Sequence, residues 1–511
     1  MDEYNYNKSL FLKQGIILTS VSVFLRLTNI FYRSFLSSKL GSEGLGLYQL
    51  IFSVFTFAVT LSTSGISLAV TRLVTTVIAD DNKGAVNKTV KGCLIFAVIL
   101  SLSVAFILYI LSDSLSLLLL GDIKLSFSLK ILSLGLPFMA MCTILKGYFL
   151  AVDKGTVTGI ADTLEQILTI ALCTLFFNLF SLRSINSGLI WAMAASSLGE
   201  TVSFIYNYIS YKRSLKLYKN KPAKKLPKAF VRKGLFHIAL PCTLSAAARS
   251  LLNTLENILI PIMLQSSGFQ RNAALSSYGV LQGMAVPVLY FPASFLYSFA
   301  FLLIPKISFD REQNRKKHLS YLSEKALFTS LIFGCFFFAL FFLLADEFGE
   351  VFYKNKEAGF YIRLLSPLTP LMYLDSVTDN LLKGMDKQFD SMKYNMLDSF
   401  LRVLMIITFM GKYGMKAYLF IVWFSTIFNA ALSLNKLIKT GDIKLKSFYP
   451  ILLILPFAFL CVMLPDFIFS LTGNKIDFTL LFTVKTLLSA ALFSAGLLIA
   501  RLKCRRHLCQ A

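Results

Sequence analysis

The sequence predicts an all-α polytopic membrane protein with about 14 transmembrane helices, and three observations carry this prediction. Of the 511 residues, 56% are hydrophobic and only 15% are charged, whereas soluble globular proteins have about 45–50% and about 25%. Apolar runs of spanning length, roughly 20 residues each, recur from one end to the other. The basic residues concentrate in alternate gaps between these runs. This pattern excludes a soluble enzyme, a disordered chain, a coiled coil and a collagen.

Each apolar run is predicted to form one transmembrane helix. The N-terminus begins Met1-Asp2-Glu3-Tyr4, without a small-residue cleavage site, so we interpret it as a mature terminus. The eighth and tenth spans carry prolines, which kink helices. The predicted spans are 14–38, 46–71, 92–112, 126–149, 157–180, 186–210, 235–263, 273–304, 323–345, 359–383, 393–411, 415–435, 447–465 and 479–500.

The charges orient these helices. Lys and Arg total 51 against 27 Asp and Glu, a net charge of +24, which in a soluble protein would indicate nucleic acid binding. When the gaps are numbered alternately, about 31 Lys and Arg fall on one side and about nine on the other. Because such residues concentrate in cytoplasmic loops, we expect a plasma-membrane protein with both termini in the cytoplasm and no nucleic-acid partner.

A basic stretch and an internal repeat divide the chain. Residues 212–233 contain no acidic residue and are predicted to be a cytoplasmic linker near anionic lipid headgroups. Leu-Lys-Gly ends both the fourth and the tenth span, each with an upstream proline, which favours two parallel six-helix repeats, a transporter architecture. The predicted domains are an N-terminal bundle, the linker, a C-terminal bundle, and two further helices with a basic tail (1–211, 212–233, 234–440, 441–511).

Two arginines on the first span predict an anion site. An ionisable group within the bilayer costs roughly 2.5–3.5 kcal/mol, so by default it faces a cavity or a partner. Arg26 and Arg33 are seven residues apart and share a helical face with Asn29 between them, at a spacing of about 10 Å. Guanidinium groups bind phosphate oxygens in bidentate fashion, so this spacing suits an elongated anion such as a diphosphate. Alternatively, Arg33 snorkels to the outer interface.

The seventh span carries a polar stripe of Arg249, Asn253 and Glu256 at positions i, i+4 and i+7. Such a stripe on an apolar helix is what a water-filled pathway requires, and the alternative is a structural ion pair between Arg249 and Glu256. The second span adds Arg72. The predicted substrate-binding residues are Arg26, Asn29, Arg33, Arg72, Arg249 and Asn253.

Acidic residues within the spans are candidates for charge relay or for a coupling cation, H⁺ or Na⁺. Asp375 and Asp379 are the strongest pair, since like charges one helical turn apart need a cation or a proton. For each candidate the alternative is a structural partner of an arginine. Glu200 and Arg402 are further ionisable residues of the spans. The coupling candidates are Glu165, Glu256, Asp375, Asp379 and Asp398.

No catalytic motif is present. The sequence lacks GxxxxGK[ST], GxSxG, HExxH and CxxC, so we expect no enzyme, no catalytic residue, no cofactor and no ATP-driven step. The eight cysteines show no disulfide framework. The tail Cys504-x-x-His507-x-Cys509 offers three donors where structural zinc normally takes four, so no metal site is predicted. An ion gradient, the membrane potential or the substrate's own gradient must then supply the energy for transport.

Several short motifs together indicate a family. They are Arg26 to Arg33, Gly41-Ser42-Glu43-Gly44-Leu45-Gly46-Leu47-Tyr48, the stretch Ser64 to Val74, Lys146-Gly147-Tyr148-Phe149, Leu164-Glu165-Gln166, and Leu303 to Ser308. With them the chain resembles, over essentially its whole length, the stage V sporulation protein B group of polysaccharide-biosynthesis flippases. That group lies in the multidrug/oligosaccharidyl-lipid/polysaccharide superfamily.

The resemblance implies a MATE-like fold, with two six-helix bundles facing a central cavity and two further helices whose groove holds a lipid tail. It implies movement of an undecaprenyl-diphosphate-linked sugar, such as lipid II, from the inner to the outer leaflet by alternating access. Arg26 matches a cavity arginine of the related lipid II flippases, whereas the match of Arg33 stays open. Position 72 departs from the family pattern, with arginine in place of lysine.

Three other functions remain open. A cation-coupled drug exporter of the same superfamily usually has 12 helices and an acidic cavity, and the arginines of the first and seventh spans disfavour it. A membrane-embedded polymerase or ligase normally needs a large outer loop, and the longest outer gap here, near 346–358, is short. A non-transporting scaffold for cell-wall synthesis is the third. The expected partners are a lipid-linked oligosaccharide and membrane lipids.

Overall fold

The structure, a computed structural model, describes residues 2–80, 82–180, 184–216, 230–441, 443, 451–471 and 478–510. Within these ranges the chain is helical almost throughout and contains no β-strand. Residues 217–229 of the predicted linker lie outside the described residues, as do the side chains of the tail Cys504, His507 and Cys509.

Eighteen α-helices follow one another in the described part of the chain. They are α1 (Asp2–Thr63), α2 (Ile66–Ala79), α3 (Val86–Leu115), α4 (Ser126–Ala151), α5 (Gly155–Leu179), α6 (Ile185–Leu215), α7 (Phe230–Ser266), α8 (Arg271–Tyr278), α9 (Val286–Tyr290), α10 (Ala293–Glu312), α11 (Lys316–Leu343), α12 (Ala345–Tyr353), α13 (Lys356–Leu365), α14 (Thr369–Gly384), α15 (Gln388–Met405), α16 (Gly411–Gly441), α17 (Ile451–Leu471) and α18 (Phe478–Gln510). Segments of π-helix occupy Ser116–Leu120, Gly279–Ala285 and Ile406–Met410.

The predicted spans fall on these helices. Ten described stretches are long and apolar enough to cross a membrane, and two of them, Thr19–Ala79 and Gln388–Gly441, each contain two predicted spans. Gly41 and Gly414 interrupt α1 and α16 with left-handed φ angles of 73° and 57°, which glycine adopts without steric cost. Leu453–Phe469 is a shorter apolar helix. The prediction of an all-α polytopic chain is therefore confirmed.

The proline-rich spans are divided as the prolines predicted. The eighth span consists of α8, a π-helical segment, α9 and α10, and the tenth consists of α13 and α14 joined by the 3₁₀ turn Ser366–Leu368. Several helices extend beyond the predicted spans: α2 continues to Ala79 beyond the end at 71, α10 to Glu312 beyond 304, and α18 to Gln510 beyond 500. The second span also contains the break between α1 and α2, since α1 ends at Thr63 and α2 begins at Ile66.

The chain forms two compact units, each with its own helices. Unit 1 comprises Met1–Tyr32, Lys39–Gly279 and Ile406–Lys412, and unit 2 comprises Arg33–Ser38, Val280–Met405 and Tyr413–Ala511. Helix α7 thus belongs to unit 1, although the domain prediction assigned residues from 234 onward to the C-terminal bundle. The domain prediction was based on the sequence repeat, whereas the two units are defined by packing. The units therefore do not test the predicted division at 212–233, which stays a prediction.

Each unit has a buried apolar core around a tyrosine. In unit 1, Tyr148 of α4 packs edge-on against Tyr211 of α6 with ring centroids 4.9 Å apart, and its hydroxyl lies 2.8 Å from that of Ser214. In unit 2, Tyr373 of α14 is fully buried and donates its hydroxyl to the Leu289 carbonyl oxygen at 2.8 Å. Both buried hydroxyls therefore have partners, as a dry interior requires.

The same helix contact occurs once in each unit. In unit 1, Thr71 of α2 donates its hydroxyl to the Gly147 carbonyl oxygen of α4 at 3.0 Å, and in unit 2, Ser308 of α10 donates to that of Gly384 in α14 at 2.9 Å. Donor and acceptor are 76 residues apart in both pairs. A Cβ on Gly147 would lie 2.8 Å from the Ser67 carbonyl oxygen. The repeated Leu-Lys-Gly motif therefore has the same packing role twice.

The Glu-Gly-x-Gly stretch brings α1 and α8 together within unit 1. A Cβ on Gly46 would lie 2.3 Å from the Leu275 carbonyl oxygen, and a Cβ on Gly279 would lie 2.1 Å from that of Ser42. The hydroxyls of Ser42 and Ser276 are 2.6 Å apart. Small residues thus allow two backbones to approach closely, as is common between membrane helices.

Gly46→Ala should destabilise the protein, because its methyl group would collide with the backbone at Leu275, and overpacking costs about 1–3 kcal/mol. Gly411→Ala is the matched control, since its Cβ would meet nothing closer than Ser266 at 4.0 Å. We expect a lower apparent Tm and less monodisperse protein for Gly46→Ala alone, measured in detergent by thermal unfolding and size-exclusion chromatography. Equal melting of the two variants would contradict this role for Gly46.

Candidate functional site

Helix α1 is uninterrupted between residue 19 and Gly41, as the argument for its polar face requires. Arg26 is exposed and Asn29 is half-buried, and both belong to unit 1. Arg33 belongs to unit 2, where its half-buried guanidinium donates to the Gln282 carbonyl oxygen at 3.4 Å. Arg33 therefore has a structural contact with the π-helical segment Gly279–Ala285, whether or not it also binds a ligand. The three substrate-binding assignments stay predictions.

The other predicted substrate residues, on α2 and α7, are also exposed within unit 1. The side chains of Arg72, Arg249 and Asn253 are exposed, whereas Glu256 is only 5% exposed. An arginine within a span is costly against lipid and faces water or protein by default. Unit 1 therefore carries exposed arginines on three of its helices, and their role in substrate binding stays a prediction.

Hydroxyl groups hold α7 in place beside these residues. Thr254 donates to the Ser53 carbonyl oxygen at 3.0 Å. Near the break between α1 and α2, Thr243 donates to the Ser64 carbonyl oxygen. Gly65 follows with a φ of 73°. Backbone groups freed within a span must find a partner inside the protein, and the hydroxyl of α7 supplies one for this break.

A second group, the acidic cluster of unit 1, consists of Lys146, Asp162, Glu165 and Glu200 on α4, α5 and α6. The Lys146 Nζ atom lies 2.5 Å from Asp162 Oδ1 and 4.0 Å from Glu165 Oε2. Glu200 is 8% exposed, and its carboxyl group lies near that of Glu165. Three carboxyl groups therefore share one lysine.

The acidic cluster of unit 1 contains three carboxyl groups and one lysine. Neighbouring carboxyl groups disfavour one another's charged form and so favour a bound proton or cation. Glu165 was predicted as a coupling candidate, and the structure brings it together with three residues to which no role was assigned. The spacing of Asp162 and Glu165, at i and i+3, was the sequence signal for a shared acidic face.

A third group, the carboxylate network of unit 2, joins α14, α15 and α16 through Asp375, Asp379, Asn395, Asp398 and Asn429. Asp379 accepts hydrogen bonds from Ser391 at 2.6 Å and from Asn395 at 3.2 Å. The Asn429 amide donates to Asp375 Oδ2 at 3.0 Å and to Asn395 Oδ1 at 3.2 Å. The predicted pair Asp375 and Asp379 is thus connected through two asparagines.

The remaining acid of this network is Asp398. It accepts a hydrogen bond from Ser425 at 2.6 Å, and its second oxygen lies 3.4 Å from Arg402 Nε. Arg402 thus pairs with Asp398, while Asp375 and Asp379 accept hydrogen bonds from the two asparagines. Within the described residues no group of three or more His, Cys, Asp or Glu has metal-binding geometry, so a cation here would also need asparagine oxygens.

Comparisons with known proteins agree with this architecture. The family model "Polysaccharide biosynthesis protein" matches residues 11–308. Stage V sporulation protein B of Bacillus subtilis (strain 168) is 26% identical over 383 residues, 74% of each chain. Sporulation protein YkvU of the same organism is 24% identical over 356 residues, 69% of this chain and 78% of the relative.

Solved structures show the fold. The lipid II flippase MurJ in an inward closed conformation is similar with a TM-score of 0.72 at 16% identity, covering 96% of this chain and 100% of that one. An inward-facing multidrug resistance MATE family transporter of the MOP superfamily is similar with a TM-score of 0.62 at 16% identity, covering 84% and 97%. The predicted MATE-like, all-α polytopic membrane fold is confirmed.

Lys146→Met should lower the apparent Tm, because it leaves one buried and two half-buried carboxyl groups without their cation, a change of about 1–3 kcal/mol. Adding Glu165→Gln should restore part of the loss, since it removes one of the stranded charges. Thermal unfolding of the single and double variants measures both effects.

Lys130→Met is the control on the same helix. Lys130 pairs with Asp113 at 2.8 Å, and that carboxylate is 52% exposed, so its loss should change stability by about 1 kcal/mol or less. Equal losses for Lys146→Met and Lys130→Met would contradict a special role for the acidic cluster of unit 1.

Proposed function

Because the chain belongs to the polysaccharide biosynthesis protein family, we propose that it is a flippase for an undecaprenyl-diphosphate-linked sugar, a cell-wall or spore-cortex precursor resembling lipid II. It moves this glycolipid from the inner to the outer leaflet of the plasma membrane by alternating access. Both termini lie in the cytoplasm, in keeping with the distribution of Lys and Arg. The reaction is transport and makes or breaks no covalent bond.

The exposed arginines of unit 1 are the observation that carries this proposal. Arg26 on α1, Arg72 on α2 and Arg249 on α7 have exposed side chains within spanning helices. A cationic drug would be repelled by such a surface, whereas a diphosphate would be bound by bidentate hydrogen bonds. We assign substrate contact to these three residues and to Asn29, Arg33 and Asn253.

The last two helices are proposed to receive the lipid tail. Helices α17 and α18 expose large apolar side chains, among them Leu453, Phe467 and Leu487 at 78%, 65% and 70%. Lys485 of α18 ties the pair to the rest of unit 2, since its Nζ lies 2.6 Å from Asp466 of α17 and 2.8 Å from Glu347 of α12. An apolar surface anchored by a buried lysine suits a long isoprenoid chain.

The drive is proposed to come from a cation gradient, H⁺ or Na⁺. Asp375 and Asp379 in unit 2, with Glu165 in unit 1, are the proposed coupling residues, and Asp398 and Glu256 are proposed to relay or balance charge. Neighbouring carboxyl groups favour the binding of a proton or a cation. Binding or release of that cation would change the hydrogen bonds that join α14, α15 and α16.

Arg26→Ala should abolish complementation of cells depleted of their lipid II flippases while leaving expression and membrane insertion intact, because the diphosphate loses a bidentate partner. Arg26→Lys should restore growth only in part. The control is Arg363→Ala, which removes an exposed arginine paired with Asp346 at 2.6 Å. Normal growth of Arg26→Ala would remove Arg26 from the mechanism.

Asp379→Asn should abolish the response of transport to an imposed gradient. In proteoliposomes with fluorescent lipid II and a leaflet-accessibility readout, the wild type should flip faster under a proton or sodium gradient. Asp379→Asn should flip at one rate with or without it, because the uncharged amide no longer needs a cation. Asp390→Asn, which removes the carboxylate paired with Lys436 at 2.8 Å, should keep the response. Gradient dependence in Asp379→Asn would place coupling elsewhere.

A further inference from the structure

A cleft at one end of unit 2 has no role in the proposed transport cycle. It has a volume of about 320 Å³ and lies where α10 ends, α11 begins and α16 ends. Four basic residues line it, together with the polar side chains of Asn314 and Thr440 and the carboxyl group of Asp310. We call it the basic cleft, defined by Arg311, Arg315, Lys316 and Lys439.

The one acidic residue lining the basic cleft does not neutralise it. Asp310 is only 2% exposed, and its Oδ2 atom lies 2.6 Å from Nδ1 of His318. Its backbone oxygen also accepts a hydrogen bond from the Arg315 amide at 2.8 Å. The carboxylate of Asp310 therefore has His318 as a partner, and its backbone oxygen fixes the turn that presents Arg315.

Most of the cleft's positive charge is uncompensated. Arg311 lies 3.3 Å from Asp386, and nearby Lys436 lies 2.8 Å from Asp390. In contrast, Arg315, Lys316 and Lys439 make no ion pair with any residue in the described part of the chain. Orientation of a membrane protein requires positive charge near the cytoplasmic surface, but it does not require three unpaired cations around one cavity.

The geometry points to a binding site for a phosphate-bearing anion, and we propose that the basic cleft binds one the size of a mononucleotide or a lipid headgroup. Arginine and lysine are the usual partners of phosphate oxygens, and Asn314 and Thr440 add neutral hydrogen-bonding groups for a sugar or glycerol. The volume lies at the lower end of small-ligand sites, about 300–1,000 Å³. It excludes a polypeptide or a whole glycolipid.

Occupation of the basic cleft would link α10, α11 and α16. The three unpaired cations lie on the segment from Arg315 to Lys316 and on the end of α16 at Lys439, so one anion between them bridges separate helices. A ligand that binds the folded protein stabilises that arrangement by mass action. The site would therefore let a cytoplasmic phosphate compound or an inner-leaflet headgroup regulate unit 2.

The test uses the full chain in phosphatidylcholine nanodiscs, with ADP as the soluble probe and equilibrium dialysis as the measurement. We expect saturable ADP binding, weakened at least about tenfold in K316Q/K439Q, which corresponds to 1.4 kcal/mol. The matched control K317Q/K393Q removes the same charge from exposed lysines that do not line the cleft, and it should bind within about twofold of the wild type. The Tm of each variant verifies folding.

A second arm distinguishes the source of the phosphate. If ADP does not bind, nanodiscs containing phosphatidylglycerol should raise the Tm of the wild type and of K317Q/K393Q but not that of K316Q/K439Q, which assigns the cleft to a headgroup. Equal weakening in both lysine pairs, or no response to either ADP or phosphatidylglycerol, would overturn the proposal. Transport is not measured in either arm, so failure here leaves the proposed flippase activity unaffected.

Discussion

The structure depends on one constraint: within a bilayer, every polar group must find its partner inside the protein. Helices provide hydrogen-bond partners for their own backbone groups, and the described part of the chain is helical almost throughout. Where a helix breaks, a side chain supplies the missing hydrogen bond, as the Thr243 hydroxyl does for the Ser64 carbonyl oxygen. Charged side chains obey the same constraint, so the carboxyl groups of α5, α6, α14 and α15 occur in groups that share amides, hydroxyls or a single cation.

The membrane also requires close helix packing, because lipid offers no hydrophobic driving force for helix association. Close contacts between helix backbones stabilise the association instead. Gly46 approaches α8, and Gly147 and Gly384 each accept a hydroxyl from the neighbouring helix of their own unit. The same contact occurs in both units, which gives the sequence repeat a physical meaning. In each unit, the glycine of the Leu-Lys-Gly motif lets a neighbouring helix approach closely.

The proposed functions rest on charged side chains of the helices. We proposed that exposed arginines on α1, α2 and α7 bind an anionic substrate and that acidic residues hold a proton or a cation. The basic cleft of unit 2 lies at helix ends, around Arg315, Lys316 and Lys439. In these proposals, substrate, coupling ion and regulator meet charges of different sign or position.

The sequence by itself determined the helical class and the order of the spans, because hydropathy is a local property of the chain, and the placement of Lys and Arg predicts their orientation. It also identified Arg26, Glu165, Asp375 and Asp379 as costly residues within spans. Only the tertiary structure brought Lys146, Asp162 and Glu200 to Glu165, and Asn395 and Asn429 to the aspartates. It alone placed α7 in unit 1 and brought Arg315 and Lys439 together around one cleft, because side chains distant in sequence meet only through packing.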